Sequence, residues 1–219
     1  MAISTAVPIS SVARVLGIKT EFKDLSGGVR LLPQRLAVVG QGSSVSVYDT
    51  VKRQVTSALE VANIYGFGSP LHLAVREIFP RNGGGVGNIP VTIYPIIDGT
   101  TASSGIIAVV VSPTESESYQ VDVNGIRSAT FVINVGDTYV PVVAAMVEAI
   151  NSTLEMPVIA VDNGTIDLQL RSKWKGTSAN DLIVSVVGST TVGNTFAVTQ
   201  LTGGLVNPSV QPALDQFGN

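Results

Sequence analysis

The sequence predicts a mixed α+β fold: an extended N-terminal arm, a partial α/β core, and an inserted β-rich domain, sandwich-like, carrying one amphipathic helix. Three observations predict it. A buried-type strand, LAVV at 36–39, is followed by helical periodicity and then by a second apolar run, PVTIYPI at 90–96. Two Asn-Gly pairs, Asn124-Gly125 and Asn163-Gly164, each stand between alternating β-rich runs. Between those pairs Val140, Val143, Val147, Ile150 and Leu154 recur at three- and four-residue spacing.

Residues 1–30 hold Pro8, Gly17 and Gly27 and no helical stripe, which reads as an extended arm. Within it Val12, Ile18, Thr20 and Phe22 alternate roughly with Arg14, Lys19 and Glu21. That pattern suits a strand added to the sheet edge of another subunit, or an edge strand of the chain's own domain. Residues 31–96 read as the first part of an α/β core. LAVV, bounded by Arg35 and Gly40, is a strand buried on both faces. Tyr48, Val51, Val55, Ala58 and Ala62 place one apolar face on a helix that Gly66 ends. Ser69 caps a second helix with Pro70 at its first position, where the missing N–H is harmless, and Pro80 stops it. With PVTIYPI as the return strand, the unit is strand, helix pair, strand, with a right-handed crossover.

Residues 97–202 read as the inserted β-rich domain. YQVDV and SATFVINV flank Asn124-Gly125, and PVIAVD and TIDLQLRS flank Asn163-Gly164; both pairs suit two-residue type I′ hairpin turns. Asp137 or Thr138 marks the start of the intervening helix, with Pro141 in its first turn, and DLIVSVV and TFAVTQL supply further strands. Residues 203–219 lead back toward the core. Only two strands are foreseen in the α/β part, too few to stand alone, so the sequence predicts completion by other chains or by a longer polypeptide.

Composition narrows the function. Of 219 residues 45% are hydrophobic and 13% charged, against about 25% charged in an average globular chain. Such a neutral surface suits a protein that buries its exterior against other subunits. With 16 acidic and 13 basic residues and a net charge of -3, a backbone-neutralising nucleic-acid binder is not expected. Cysteine is absent, which removes disulfides, Cys-based zinc sites and thiol nucleophiles. No signal peptide or membrane-spanning run is found, so the chain reads as soluble and unexported, with no direct membrane insertion.

Candidate chemistry is sparse. RNGGGVGN at 81–88 follows a helix and precedes a strand, and Asn88, Ile89 and Pro90 stand where a phosphate loop needs Lys and Ser or Thr. VVGQGSS at 38–44 does lie between strand and helix, but Gly40 and Gly42 give only part of the dinucleotide pattern and read as turn geometry. His72, the single histidine, is read as solvated or as a local cap. The pairs Glu115 with Glu117 and Asp162 with Asp167 are read as water-facing hairpin residues. Trp174 is read as packing under the stems of Lys173 and Lys175 in a turn. No catalytic, cofactor-binding or metal residue is assigned, and an enzyme is not expected.

Several stretches together resemble the tail sheath proteins of Mu-like contractile-tailed bacteriophages: GIKTEFKDLSGG (17–28), LPQRLAVVGQG (32–42), IYGFGSPLHLAVREIFPRNGGGVGNIPVTIYPI (64–96), VNGI with FVINVGDT (123–138) and SKWKGTSANDL (172–182). The resemblance spans nearly the whole chain and contains no catalytic motif. It implies a self-assembling virion subunit, made in the host cytoplasm, that stacks in helical rings around a tail tube and contracts. It also implies tail tube, baseplate or tail terminator proteins as partners, no cofactor, and an inter-subunit arm using Val12, Arg14, Ile18, Thr20 and Phe22. Strand exchange would keep subunits linked while weaker faces slide between two arrangements. Sheath proteins are longer, so the resemblance further implies an N-terminal fragment or truncated subunit. The competing expectations are a host-surface or glycan-binding module centred on 97–202, and a nucleotide- or phosphate-dependent α/β enzyme at the VVGQG turn.

Overall fold

Leu36–Gln41 (β1) and Val91–Ile96 (β3) pair in parallel, with Leu36 opposite Val91 and Gln41 opposite Ile96. A tight turn cannot join parallel neighbours, so the chain between them makes a crossover. This computed structural model describes residues 34–80, 85–87, 89–110, 114–188 and 196–217; the arm foreseen at 1–30 lies outside the described residues.

The crossover departs from the sequence expectation. Tyr48 through Val55 do not form a helix; Arg53–Val55 is a short strand, β2, antiparallel to β3, which gives a three-stranded sheet in the order β1-β3-β2. Among the described residues the core thus has three strands rather than two. The helix, α1, is confined to Ala58–Tyr65 because Ser57 caps it: its hydroxyl accepts from Glu60 N, while the Glu60 carboxylate accepts from both Thr56 N and Thr56 Oγ1. Tyr48 and Val55 reach the core from extended backbone, and Val51 points to solvent. The three- and four-residue spacing there is a coincidence of two alternating segments. As predicted, Gly66 ends α1 with φ 91°, and Ser69 caps α2 (Pro70–Ile78), accepting from His72 N. Val38, Val55, Val61, Tyr65, Leu71, Val75, Val91 and Ile93 close a first apolar core between this sheet and the two helices.

Beyond β3 come β4 (Ala102–Val109), β5 (Glu117–Val123), β6 (Ile126–Arg127), β7 (Phe131–Ile133), helix α3 (Tyr139–Ser152), β8 (Val158–Asp162), β9 (Asp167–Lys175), a 3₁₀ turn at Thr177–Asp181, β10 (Val184–Gly188) and β11 (Phe196–Thr202). They form two antiparallel four-stranded sheets, β11-β4-β9-β8 and β10-β5-β6 with β7 also on β5. Together with α3 the sheets enclose a second core that includes Ile107, Val121, Phe131, Met146, Ile150, Leu170 and Trp174.

The turn at Asn124-Gly125 is the expected one: φ is 50° and 83°, and Val123 pairs with Ile126 across it. The returning run breaks into β6 and β7 where buried Ser128 turns inward to accept from Val121 N. The second hairpin forms but its turn differs. Asp162 pairs with Leu168, only Gly164 of the Asn-Gly pair has positive φ (71°), and residues 163–167 make a wider loop. Gly164 N donating to the Asp162 carboxylate and Thr165 Oγ1 donating to the Asp167 carboxylate stabilise that loop instead of a two-residue turn.

Helix α3 starts after Thr138 as expected, and its inward face keeps Val143, Ile150 and, at its margin, Val147 of the expected stripe but not Val140, while Leu154 lies past its end at Ser152. Val142, Val143, Met146, Ala149 and Ile150 are buried, whereas Val140 and Leu154 are each 60% exposed. The helix is apolar on several sides, so two stripes compete, and the one carrying Met146 fills the gap under the sheets. After β11, Leu205 bridges to Thr101, and a last short helix, α4 (Gln211–Leu214), lies against the far face of β3.

Candidate assembly surface

The parallel sheet has two faces, and alternation assigns them different fates. Leu36, Val38, Val91 and Ile93 face the helices. Tyr94 and Ile96 face the other way, where Ala213 of α4 covers them and Phe217 stacks on Tyr94 with ring centroids 4.2 Å apart. Gln216 holds this tail in place: its side chain accepts from Lys52 N at 2.8 Å and donates to Thr50 O at 2.8 Å, and Lys52 Nζ reaches Gln216 O at 3.2 Å. The cover is small. Ala37 and Val39 of β1 remain exposed, as do Val210, Leu214 and Phe217 around α4.

β1 is also an edge. Among the described residues its one strand partner is β3, so the main-chain groups on its outer side face away from the sheet. Edge strands are ordinarily guarded by Lys, Pro or a bulge. LAVVGQ has none of these, and its pairing with β3 runs unbroken over six residues. An edge with no further strand partner among the described residues, beside a half-covered apolar face, is an arrangement that can receive another strand.

The residues singled out from sequence fall elsewhere. Val12, Arg14, Ile18, Thr20 and Phe22 lie outside the described residues, as do 81–84 and 88 of the glycine-rich stretch. The turn after β1 spends its amides internally: Gly42 N donates to Tyr48 Oη, Ser43 N to Tyr65 O, Ser44 N to Lys173 O, and Ser46 N to Ser43 O. None of these is aimed at an anion. His72 is not solvated; it is 3% exposed, its Nδ1 accepts from Gly68 N at 3.0 Å, and its ring meets Phe67 edge-on. Burial follows from its place in the first turn of α2, against the α1–α2 loop, so the capping half of the expectation holds.

Glu117 is likewise inward rather than water-facing. It begins β5 on the same side as Tyr119, whose hydroxyl donates to its carboxylate and so satisfies it in the interior. Asp162 and Asp167 do face outward and organise their loop, Asp162 accepting from Gly164 N at 2.7 Å. Trp174 is core, 6% exposed, with Nε1 donating to Ser178 Oγ. Alternation along β9 puts Lys173 and Lys175 on the opposite face, so their stems do not cover it. A cleft of about 290 Å³ beside α2 is lined by Leu73, Arg76, Trp174 and Asp181 among others; Arg76 there is drawn to Glu155 at 2.8 Å.

Lys173 joins the two cores. Its Nζ donates to Phe67 O at 3.1 Å and to Leu154 O at 2.9 Å, and its own carbonyl accepts from Ser44 N and Ser43 Oγ. Burial lowers its pKa from 10.5 to about 8. Between these values the unfolded chain binds more protons than the folded one, so stability rises with pH across that window. We expect a gain of about 1–2 kcal/mol, discounted for partial screening. Burial raises the pKa of Tyr48 and Tyr65, which acts in the opposite sense from about pH 10 upward. Denaturant titrations of the wild type and Lys173→Met below that point isolate the lysine: the variant's profile is expected to be flatter, and parallel profiles would contradict the assignment.

Among the described residues no group of three or more His, Cys, Asp or Glu is placed to hold a metal ion, and no helix is long and apolar enough to cross a membrane. No protein-family model matches this sequence, and comparison with curated proteins finds no relative.

Proposed function

We propose that this chain is a structural subunit of a contractile phage tail sheath of the Mu-like kind. In this reading it assembles with copies of itself in helical rings around a tail tube within the virion. The observation that carries the reading is the unguarded β1 edge beside the partly covered sheet face. A neighbouring copy's extended segment, with Val12, Ile18, Thr20 and Phe22 as one face, supplies the strand that such an edge takes up. The order of sheath-like stretches along the sequence supports the same reading, as does the charge-poor composition. Tube, baseplate and terminator contacts belong to it as further partners.

The test is assembly by the wild type and by Val39→Lys, which puts an edge-guarding charge on an exposed position. Negative-stain images and sedimentation are expected to show rings or tubes for the wild type. The variant is expected to need about tenfold more protein or to stay monomeric, with folding stability within about 0.5 kcal/mol of the wild type. Monodisperse wild-type monomers at high concentration would sink the proposal.

A further inference from the structure

We propose that Asn163-Gly164 is a site of spontaneous covalent modification, where the Asn163 side-chain amide is lost through a succinimide to leave aspartate and isoaspartate, while Asn124-Gly125 is held intact. Both pairs have the sequence that favours this chemistry, because glycine offers no Cβ to shield its nitrogen; nothing lies within 4 Å of where a Cβ would stand on Gly125 or Gly164. The structure separates them by what it does with the asparagine side chain.

Asn124 is fastened. Its Oδ1 accepts from Ile183 N at 2.7 Å, and its own N donates to Ile183 O at 3.1 Å. Gly125 N meanwhile points to Asp122 Oδ1 at 2.8 Å. For Gly125 N to reach Cγ of Asn124, the side chain must leave Ile183 and orphan that N–H, at a cost of about 1–1.5 kcal/mol, or roughly tenfold in rate. Asn163 has no such anchor. It is exposed in the wider loop, and its Nδ2 makes one long contact, 3.4 Å, to Asp167. As at Gly125, the nucleophile beside it already touches a carboxylate, Gly164 N–H donating to Asp162 at 2.7 Å, so the two sites differ in the anchor on the asparagine side chain and not in the base.

In the reaction Asp162 takes the Gly164 N–H proton as that nitrogen bonds to Asn163 Cγ. The Cγ–Nδ2 bond then breaks, and the amide nitrogen takes the proton back from Asp162 and departs as ammonia, leaving the five-membered imide and the carboxylate restored. Water opens the imide at either carbonyl, to aspartate or to isoaspartate. The sum is one asparagine plus water giving one acid plus ammonia, with no change of oxidation state. The product adds a carboxylate to a loop that already carries Asp162 and Asp167, and the isoaspartate branch lengthens the backbone at the end of the β8–β9 pairing.

The intact protein is aged at mildly alkaline pH and mapped by mass spectrometry, with enzymatic methylation to score isoaspartate. Position 163 is expected to convert about tenfold faster than 124 in the folded protein, and the two are expected to converge in denaturant. Asp162→Ser keeps a hydrogen-bond acceptor but removes the base; it is expected to slow conversion at 163 by about tenfold and leave 124 unchanged. Equal rates at the two sites in the folded protein overturn the proposal, as does an Asp162→Ser rate at 163 equal to the wild type's when circular dichroism shows the variant folded.

Discussion

Replacing Gly68 by alanine is expected to destabilise the fold by about 3 kcal/mol, lowering the melting temperature by roughly 6–12 °C. Two effects add. Gly68 has φ +75°, a conformation that costs an L-residue energy, and its added Cβ would stand 2.3 Å from Met156 O and 3.1 Å from Glu155 O. Both obstacles are backbone, so no rotamer change relieves them. The loop on which they lie belongs to the larger core, and Gly68 to the α1–α2 connection, where its N–H is also bonded to His72. Gly87→Ala is the control: φ is +63° and nothing lies within 4 Å, so only the conformational cost of about 1 kcal/mol applies. Equal urea midpoints for the two variants would contradict the packing at this joint.

Met146→Ala is expected to cost about 2–5 kcal/mol, since the side chain is fully buried under both sheets. Val140→Ala and Leu154→Ala, at positions that look equally apolar in the sequence, are expected to change stability by no more than about 0.5 kcal/mol because both are exposed. Equilibrium unfolding of the Met146 and Val140 variants reads out which face of α3 is buried, with Leu154, in the turn after it, as an exposed reference. A large loss at Val140 with a small one at Met146 would rotate the helix onto its other apolar stripe.

That ambiguity shows where sequence reasoning ran out. Local chemistry was readable wherever it acts within a few residues: Ser69 and Pro70 at the start of α2, Gly66 at the end of α1, and the Asn124-Gly125 turn. The start of α1 was also readable in principle, since Ser57 and Glu60 have capping-box spacing, but the apolar spacing from Tyr48 to Ala62 outweighed it. The inward turn of Glu117 depends on a tyrosine two residues along the same strand face, which a rule placing charge in water passes over. The candidate surface was less legible still. Its edge depends on which strands pair with β1 among the described residues, and its partial cover on a Tyr94–Phe217 stack that joins residues far apart in the chain. No local pattern encodes either.

The bridge between Thr101 and Leu205 has a wider consequence. Thr100 Oγ1 donates to Leu205 O at 2.9 Å and Leu205 N donates to Thr101 O at 3.4 Å, so the outgoing and returning chains are fastened at one point. With its two ends held together, everything between them is a closed excursion whose length enters the free energy only logarithmically. Insertions or deletions in parts of that excursion away from Met156, Lys173 and Lys175, which contact the first core, leave the strands at its base where they are. Changes of length in its outlying loops therefore carry little thermodynamic penalty for the sheet at its base, so long as the clasp and the Lys173 and Met156 contacts survive.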